Sequence, residues 1–98
     1  MTFKPAEDKL VVELLDSYRS YGVVIPAATQ HIVGVGRVVS LKQDDDDTVD
    51  FNPDYDIGDI VVFDRSSMLE IQIDKKQYFI IDKFDLFGKI ESNHHENN

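Results

Sequence analysis

The stretch Leu69-Glu70-Ile71-Gln72-Ile73-Asp74-Lys75-Lys76-Gln77-Tyr78-Phe79-Ile80-Ile81 is typical of two short strands joined by a tight turn. Its first five residues alternate apolar and polar side chains, which is the period of a strand with one face in a core and the other in water. Asp74-Lys75-Lys76 predicts a hairpin turn, and the four residues after Gln77 predict a buried returning strand. The stretch therefore indicates a β-hairpin.

Four further segments predict strands. Residues 9–15 are mostly apolar on both faces, and Ile60-Val61-Val62-Phe63 is apolar on both faces, which favours a central strand. Residues 34–41 contain two early glycines, Gly34 and Gly36, which predict a bend or bulge, and residues 86–90 form a last short strand. No segment has a sustained 3.6-residue period. Short strands separated by closely spaced turns indicate an all-β fold, a small Greek-key barrel.

The composition limits the chain to one small domain. It has 98 residues, of which 42% are hydrophobic, enough to form a core if they are well placed. The absence of cysteine excludes disulfides, thiolate metal ligands and a cysteine nucleophile. No apolar run is long enough to cross a bilayer, and the amino terminus lacks a signal-peptide core. We therefore expect a cytoplasmic protein.

The net charge argues against nucleic acid as a partner. The chain has 19 acidic and 10 basic residues, for a formal charge of −9. Because nucleic acids are bound largely through their phosphates, such a surface repels them on balance.

Residues 16–33 are mostly polar or small around an apolar centre, Tyr21-Gly22-Val23-Val24-Ile25-Pro26. Proline cannot donate a hydrogen bond to a sheet, so one interpretation is an edge strand that leaves the sheet at Pro26. The other is an exposed loop that carries an apolar plug for a partner's groove. The local sequence leaves both interpretations open.

Residues 42–56 are the most polar interval, with Asp44-Asp45-Asp46-Asp47 near their start. A calcium-binding EF-hand loop requires glycine at its sixth position and glutamate at its twelfth. Counted from Asp44, these positions hold Val49 and Tyr55. A solvated loop tip is the better interpretation.

No catalytic or metal-binding constellation is visible in the sequence. The three histidines, His31, His94 and His95, lie in a predicted loop or in the polar tail. Gly34-Val35-Gly36 lacks the third glycine and the following helix that a phosphate-binding loop requires. We therefore expect no enzymatic activity, no bound metal and no cofactor.

Six motifs follow one another along the chain. They are Phe3-x-Pro5-x-x-Asp8-Lys9-Leu10-Val11-Val12, Gly22-Val23-Val24-Ile25-Pro26, Gly36-x-Val38-Val39, Gly58-Asp59-Ile60-Val61-Val62-Phe63, Ile73-Asp74-x-x-x-Tyr78-Phe79-Ile80-Ile81 and Asp85-Leu86-Phe87-x-x-Ile90. In this order the chain resembles the GroES family of co-chaperonins, the ten-kilodalton lids of the large chaperonin rings, over roughly residues 3–91.

The resemblance implies a fold and an activity. The fold would be a GroES-like, partly open β-barrel over residues 1–91, with a mobile loop at about 16–33 and a roof hairpin at about 42–56, followed by a disordered polar tail at 92–98. Seven subunits would form a dome that caps an ATP-loaded, GroEL-like chaperonin ring while a client protein folds inside. The lid itself would hydrolyse nothing, because ATP is bound by the chaperonin.

The resemblance also implies roles for particular residues. The mobile loop, disordered when free, would dock on the chaperonin through Val23-Val24-Ile25, flanked by Gly22 and Pro26. The four aspartates at 44–47 would lie in the roof, where copies from seven subunits repel one another. We therefore expect roof loops that are splayed or disordered and leave an opening, or that are held by divalent cations. Neighbouring subunits would pair an amino-terminal segment with a carboxy-terminal strand, here Phe3, Lys4 and Pro5 with Leu86, Phe87, Gly88, Lys89 and Ile90.

The chain departs from the family pattern at several positions. Tyr21 stands where the family usually has a small residue, and the loop is shorter on its amino-terminal side. Ala6 stands where the family has leucine, isoleucine or threonine, and Ser40-Leu41-Lys42 lacks the glycine that usually follows this strand. These departures suit a divergent member, such as one encoded by a virus. The alternative function is an acidic β-barrel adaptor or virion structural protein without a chaperonin partner.

Overall fold

A computed structural model describes residues 3–16, 18–42 and 55–91. These residues form one six-stranded antiparallel sheet. The strands are β1 (Lys9–Leu14), β2 (Val33–Leu41), β3 (Ile60–Asp64), β4 (Leu69–Ile73), β5 (Lys76–Asp82) and β6 (Leu86–Ile90).

The strands lie in the order β4-β5-β1-β2-β3-β6, so β4 and β6 are the two ends of the sheet. This architecture confirms the predicted all-β class and agrees with a small, partly open barrel. Strand β3 lies between β2 and β6, which confirms that its doubly apolar sequence forms an interior strand. Among the described residues, no helix has the length and apolar character needed to cross a membrane.

The predicted hairpin is present and has a two-residue turn. Ile73 of β4 lies opposite Lys76 of β5, so only Asp74 and Lys75 connect the two strands. Both turn residues have positive φ, 54° and 70°. This is the backbone of a type I′ turn, whose twist matches that of the flanking strands. Lys76, predicted as part of the turn, is the first residue of β5.

The core lies between the central strands. Full burial of a large apolar side chain stabilises the fold by about 1.5–3 kcal/mol, so the buried cluster is a main favourable contribution to folding. Leu14, Tyr55, Met68 and Leu86 pack against its margin. The buried residues of the cluster are Leu10, Val12, Val38, Leu41, Val61, Phe63, Phe79 and Ile81.

The two glycines of β2 do not form the predicted bulge. The register shift between β1 and β2 leaves Val39, not a glycine, without an opposite residue. Gly34 and Gly36 lie in regular pairing with β3. A Cβ atom on Gly34 would meet the ring of Phe63, and one on Gly36 would meet the carbonyl oxygen of Glu13. The prediction of a bulge at these glycines is therefore wrong, and they instead permit close packing between neighbouring strands.

The amino-terminal arm lies against the sheet. The carbonyl oxygen of Phe3 accepts a hydrogen bond from Oγ of Ser40 at 3.0 Å, and Pro5 is buried. The backbone amide of Lys83 donates to the carbonyl oxygen of Asp8 at 2.9 Å. These contacts hold residues 3–8 beside β2 and the turn before β6.

Two predicted segments fall outside the described residues. The acidic run Asp44-Asp45-Asp46-Asp47 and most of the predicted roof hairpin lie within 43–54, and the predicted polar tail occupies 92–98. The predictions for the roof and the tail therefore stay predictions.

Candidate functional site

The chain between β1 and β2 is a loop. Apart from residue 17, which is not described, residues 16–32 form two short 3-10 turns, Arg19–Tyr21 and Ala27–Thr29, and no strand. The edge-strand interpretation of this segment is therefore wrong. Backbone hydrogen bonds join both ends of the loop to the barrel, from the Leu15 amide to the Val35 carbonyl and from the Arg65 amide to the Ile32 carbonyl, each at 2.8 Å.

Gly22 redirects the chain just before the apolar tripeptide. Its φ of 83° is left-handed, and its amide closes the first turn by donating to the carbonyl oxygen of Arg19 at 2.9 Å. Glycine adopts this conformation at little cost, whereas a residue with a Cβ atom is strained there. No other atom lies within 4 Å of the place where a Cβ would be. The left-handed backbone, and not a lack of space, therefore favours glycine at position 22.

The tripeptide Val23-Val24-Ile25 presents one side chain fully to solvent. Val24 is 73% exposed, whereas Val23 and Ile25 are half-buried. Ile25 and Val24 line a shallow cleft of about 280 Å³ together with Asp16, Tyr18, Arg19 and Gln30. Single exposed apolar residues are ordinary on protein surfaces, but Val24 lies between two further β-branched residues, Val23 and Ile25, that are only half-buried.

Side-chain hydrogen bonds shape the chain after the tripeptide. The amide of Gln30 donates from Nε2 to the carbonyl oxygen of Ile25 at 3.1 Å. The carbonyl oxygen of Pro26 accepts from both the backbone amide and Oγ1 of Thr29, at 2.9 and 3.2 Å. Ser, Thr, Asn and Gln side chains that bond nearby backbone groups in this way stabilise turns outside regular structure. The carboxy-terminal side of the tripeptide is thus a locally bonded turn.

A long-range contact holds the chain before the tripeptide. Arg37 of β2 donates from Nη2 to the hydroxyl of Tyr21 and from Nη1 to Oε1 of Glu13, the latter at 3.2 Å. Glu13 and Arg37 are direct cross-strand neighbours in the pairing of β1 with β2. Nζ of Lys76 lies 3.9 Å from the second carboxylate oxygen of Glu13. Sequence reasoning noted Tyr21 as unusual but found no partner for it, because the partner depends on strand register.

The last strand leaves an edge of the sheet open. Within the described part of the chain, β6 pairs with β3 alone. A register shift opposite Val62 and Phe63 leaves Phe87 unmatched, and its side chain is 62% exposed. The unpaired amide and carbonyl groups of an edge strand are able to bond a further strand.

The comparison with known proteins decides the family. Residues 2–90 match the family described as the chaperonin 10 Kd subunit, Cpn10. The chain belongs to this family. This confirms the predicted resemblance, and the match includes the loop between β1 and β2 as well as β6.

Three bacterial members of the Cpn10 family illustrate the similarity. A protein named Co-chaperonin GroES from Pelagibacter ubique is 34% identical over 94 residues, which cover 90% of this chain and 96% of the relative. Proteins of the same name from Helicobacter hepaticus and Parvibaculum lavamentivorans are 32% and 31% identical. The matched segments cover 93% of this chain in both cases, and 99% and 90% of the respective relatives.

In the described part of the chain, the side chains that could bind a metal ion do not come together in a cluster. No group of three or more histidine, aspartate or glutamate side chains within 3–16, 18–42 and 55–91 is placed to hold a metal ion. His31 is exposed after the second turn of the loop. His94, His95 and the aspartates at 44–47 lie outside the described residues.

Proposed function

We propose that this Cpn10 protein is a co-chaperonin that closes a GroEL-like chaperonin ring, with Val23, Val24 and Ile25 as its docking segment. The observation that carries the proposal is the exposure of Val24, 73%, in the loop between β1 and β2 of a Cpn10 family member. Three relatives of this chain are named Co-chaperonin GroES, which supports the same activity. Gly22 and Pro26 flank the segment and belong to the same site.

The size of the segment suits weak individual docking. A docked tripeptide would bury about 300 Å² of largely apolar surface, which corresponds to roughly 7 kcal/mol at the usual area coefficient. Ordering about a dozen loop residues at about 1 kcal/mol each offsets most or all of that gain. One loop therefore binds feebly. Several loops on one ring bind tightly through their high effective concentration, and they release together when the chaperonin changes state.

The lid would be a heptamer joined at β6. In this arrangement the arm Phe3-Lys4-Pro5 of one subunit adds to the edge strand Leu86–Ile90 of its neighbour. The open edge of β6 and the exposed ring of Phe87 support this interface, because they place hydrogen-bonding groups and apolar surface together. The lid would act in the cytoplasm, bind no ATP or other cofactor, and catalyse no reaction of its own.

Protease protection tests the docking segment. The protein is mixed with ATP and the large chaperonin of Pelagibacter ubique or Helicobacter hepaticus, and cleavage after Arg19 by trypsin is followed. We expect the chaperonin to protect the wild-type loop, and Val24→Asp to abolish protection while the ring stays intact. Ile57→Asp is the matched control, because Ile57 is also exposed, at 55%, but lies outside the loop.

Two results would refute the proposal. The first is a wild-type loop that is cleaved equally fast with and without either chaperonin. The second is a purified protein that remains a single subunit at working concentrations, which would favour the acidic β-barrel adaptor instead. Native mass spectrometry distinguishes a ring from a single subunit directly.

A further inference from the structure

The contact between Tyr21 and Arg37 joins the middle of the loop to the wall of the barrel. The two residues are 16 positions apart, and both lie in partly buried surroundings. The guanidinium of Arg37 is held in place from its other side by Glu13, whose side chain is only 27% exposed. An arginine that donates from two nitrogens has a defined orientation, and hydrogen bonds from a charged donor are stronger than neutral ones. Tyr21 therefore bonds to a pre-positioned group.

This contact shortens the part of the loop that is free to move. Backbone hydrogen bonds attach the loop to the barrel at Leu15 and at Ile32. The Tyr21 side chain adds an attachment between these two points, immediately before Gly22. Among the described residues, the longest span without a long-range hydrogen bond to the barrel shrinks from residues 16–31 to residues 22–31. At the carboxy-terminal end of this shorter span, the side chains of Gln30 and Thr29 donate hydrogen bonds to backbone carbonyl oxygens within the loop.

The attachment is compatible with an occupied docking segment. Val24 is 73% exposed while the Tyr21 hydroxyl is bonded to Arg37, so the bond does not cover the apolar patch. Gly22, with its left-handed φ and open surroundings, separates the attached tyrosine from the tripeptide. The bond between Tyr21 and Arg37 therefore leaves Val24 accessible to a partner.

We propose that Tyr21 is a positioning residue that holds the loop in a docking-competent arrangement before the chaperonin binds, acting through Arg37. This inference rests on the proposed function, because the segment that Tyr21 positions is the proposed docking segment. A ligand's apparent affinity falls in proportion to the fraction of molecules that are competent to bind. Restricting the loop raises that fraction, and the effect multiplies when several loops of one ring dock together.

The first test uses the free protein. Tyr21→Phe removes the hydroxyl alone, and Tyr18→Phe makes the same change three residues earlier, where the described residues offer the hydroxyl no hydrogen-bond partner. We expect the amides of Tyr21 and Gly22, which close the first turn, to exchange with solvent about fivefold faster in Tyr21→Phe. Exchange in Tyr18→Phe should equal that of the wild type. Unchanged exchange in Tyr21→Phe would overturn the inference.

The second test measures docking of the assembled ring to the same two chaperonins with ATP. We expect Tyr21→Phe to weaken docking by about tenfold, with Tyr18→Phe unchanged. Arg37→Lys keeps a positive charge near Glu13, but a lysine lacks the two nitrogens with which Arg37 bonds Glu13 and Tyr21 at the same time. This variant should therefore weaken docking by a similar factor. The double variant should be no weaker than either single variant, because both remove one contact. If Tyr21 only stabilised the fold, Tyr21→Phe would lower the unfolding midpoint, but the two single variants and the double variant would not all lose docking to the same extent.

The outcomes separate this inference from the function on which it rests. Wild-type protein that fails to dock on either chaperonin overturns the proposed function and the inference together. Wild-type protein that docks while Tyr21→Phe docks equally well or more tightly overturns the inference alone. Weaker docking by Tyr21→Phe with normal docking by Tyr18→Phe supports both.

Discussion

A methyl carbon placed on Gly34 would lie 2.4 Å from Cε2 and 2.7 Å from Cζ of Phe63. Such separations are far inside van der Waals contact, and the Phe63 side chain is fully buried. Strands β2 and β3 therefore bring a backbone and an aromatic ring together at a distance that only glycine permits.

Gly34→Ala should destabilise the subunit. Replacing glycine in a strand normally gains about 0.5–1 kcal/mol, because the unfolded chain loses freedom. Here the buried ring of Phe63 has little room to move, and overpacking a core costs about 1–3 kcal/mol, so the clash outweighs the gain. Urea unfolding measures the change. Gly88→Ala is the control when both variants are compared as single subunits, since no other part of its own subunit lies within 4 Å of its Cβ position. Equal unfolding free energies for Gly34→Ala and the wild type would contradict the packing argument.

Lys75→Gly should stabilise the hairpin between β4 and β5. Lys75 has a φ of 70°, and an L-residue with a side chain pays roughly 1 kcal/mol in the left-handed region, which glycine avoids. Part of this gain is lost to the greater freedom of glycine in the unfolded chain, so we expect a net increase of about 0.5 kcal/mol in unfolding free energy. Thermal unfolding measures it. Gln72→Gly, in the adjoining strand, should instead lower stability, and a loss of stability in both variants would rule out the turn effect.

The contact of Lys9 with Asp82 should give stability a dependence on pH. Oδ1 of Asp82 accepts from the backbone amide of Phe84 at 2.9 Å, and Oδ2 lies 3.0 Å from Nζ of Lys9. The Phe84 amide first, and Lys9 second, lower the pKa of Asp82 below its usual 3.8. The hydrogen bond to Asp82 raises the pKa of Lys9 above 10.5. Stability from Asp82 is therefore complete above pH 3.8 and lost as the pH falls through the lowered folded value. Stability from Lys9 is complete below pH 10.5 and lost as the pH rises through the raised folded value.

Asp82→Asn should unfold more easily than the wild type at neutral pH. The difference should shrink as the solution is acidified below both the unfolded and the folded pKa of Asp82, because the wild-type carboxylate is then protonated. Denaturant titrations across the acid range measure it. Glu7→Gln makes the same change of charge on an exposed residue of the arm and serves as the control. A difference between Asp82→Asn and the wild type that stays constant throughout the acid range would be inconsistent with this account.

Phe87→Asp should separate the proposed ring into folded single subunits. The side chain is 62% exposed on the edge strand, so a charge there removes apolar contact with a neighbour without entering the core. Phe84→Asp is a matched control, because Phe84 is 87% exposed but lies on the turn before β6. Native mass spectrometry reports assembly, and circular dichroism reports folding. Intact heptamers in both variants would remove the support for an interface at β6.

The strands and the main hairpin could be predicted from the sequence because they depend on neighbouring residues. Alternation of apolar and polar side chains in 69–73 specifies one buried face whatever the strand pairs with. The run Ile60-Val61-Val62-Phe63, which is apolar on both faces, likewise predicted β3 and its position inside the sheet. Both patterns lie within a few consecutive residues, and the structure confirms the strands that they predicted.

The nature of the loop, the role of the glycines and the partner of Tyr21 were decided by tertiary structure. Three β-branched residues in a row fit a strand or a loop equally well, and the strand pairing of the folded sheet shows that the described part of residues 16–32 adds no strand to it. The need for Gly34 arises from Phe63, a residue of another strand. Arg37 reaches Tyr21 only because strand register places it beside Glu13. Each feature depends on residues that are distant in the chain, and no local pattern encodes their distance in space.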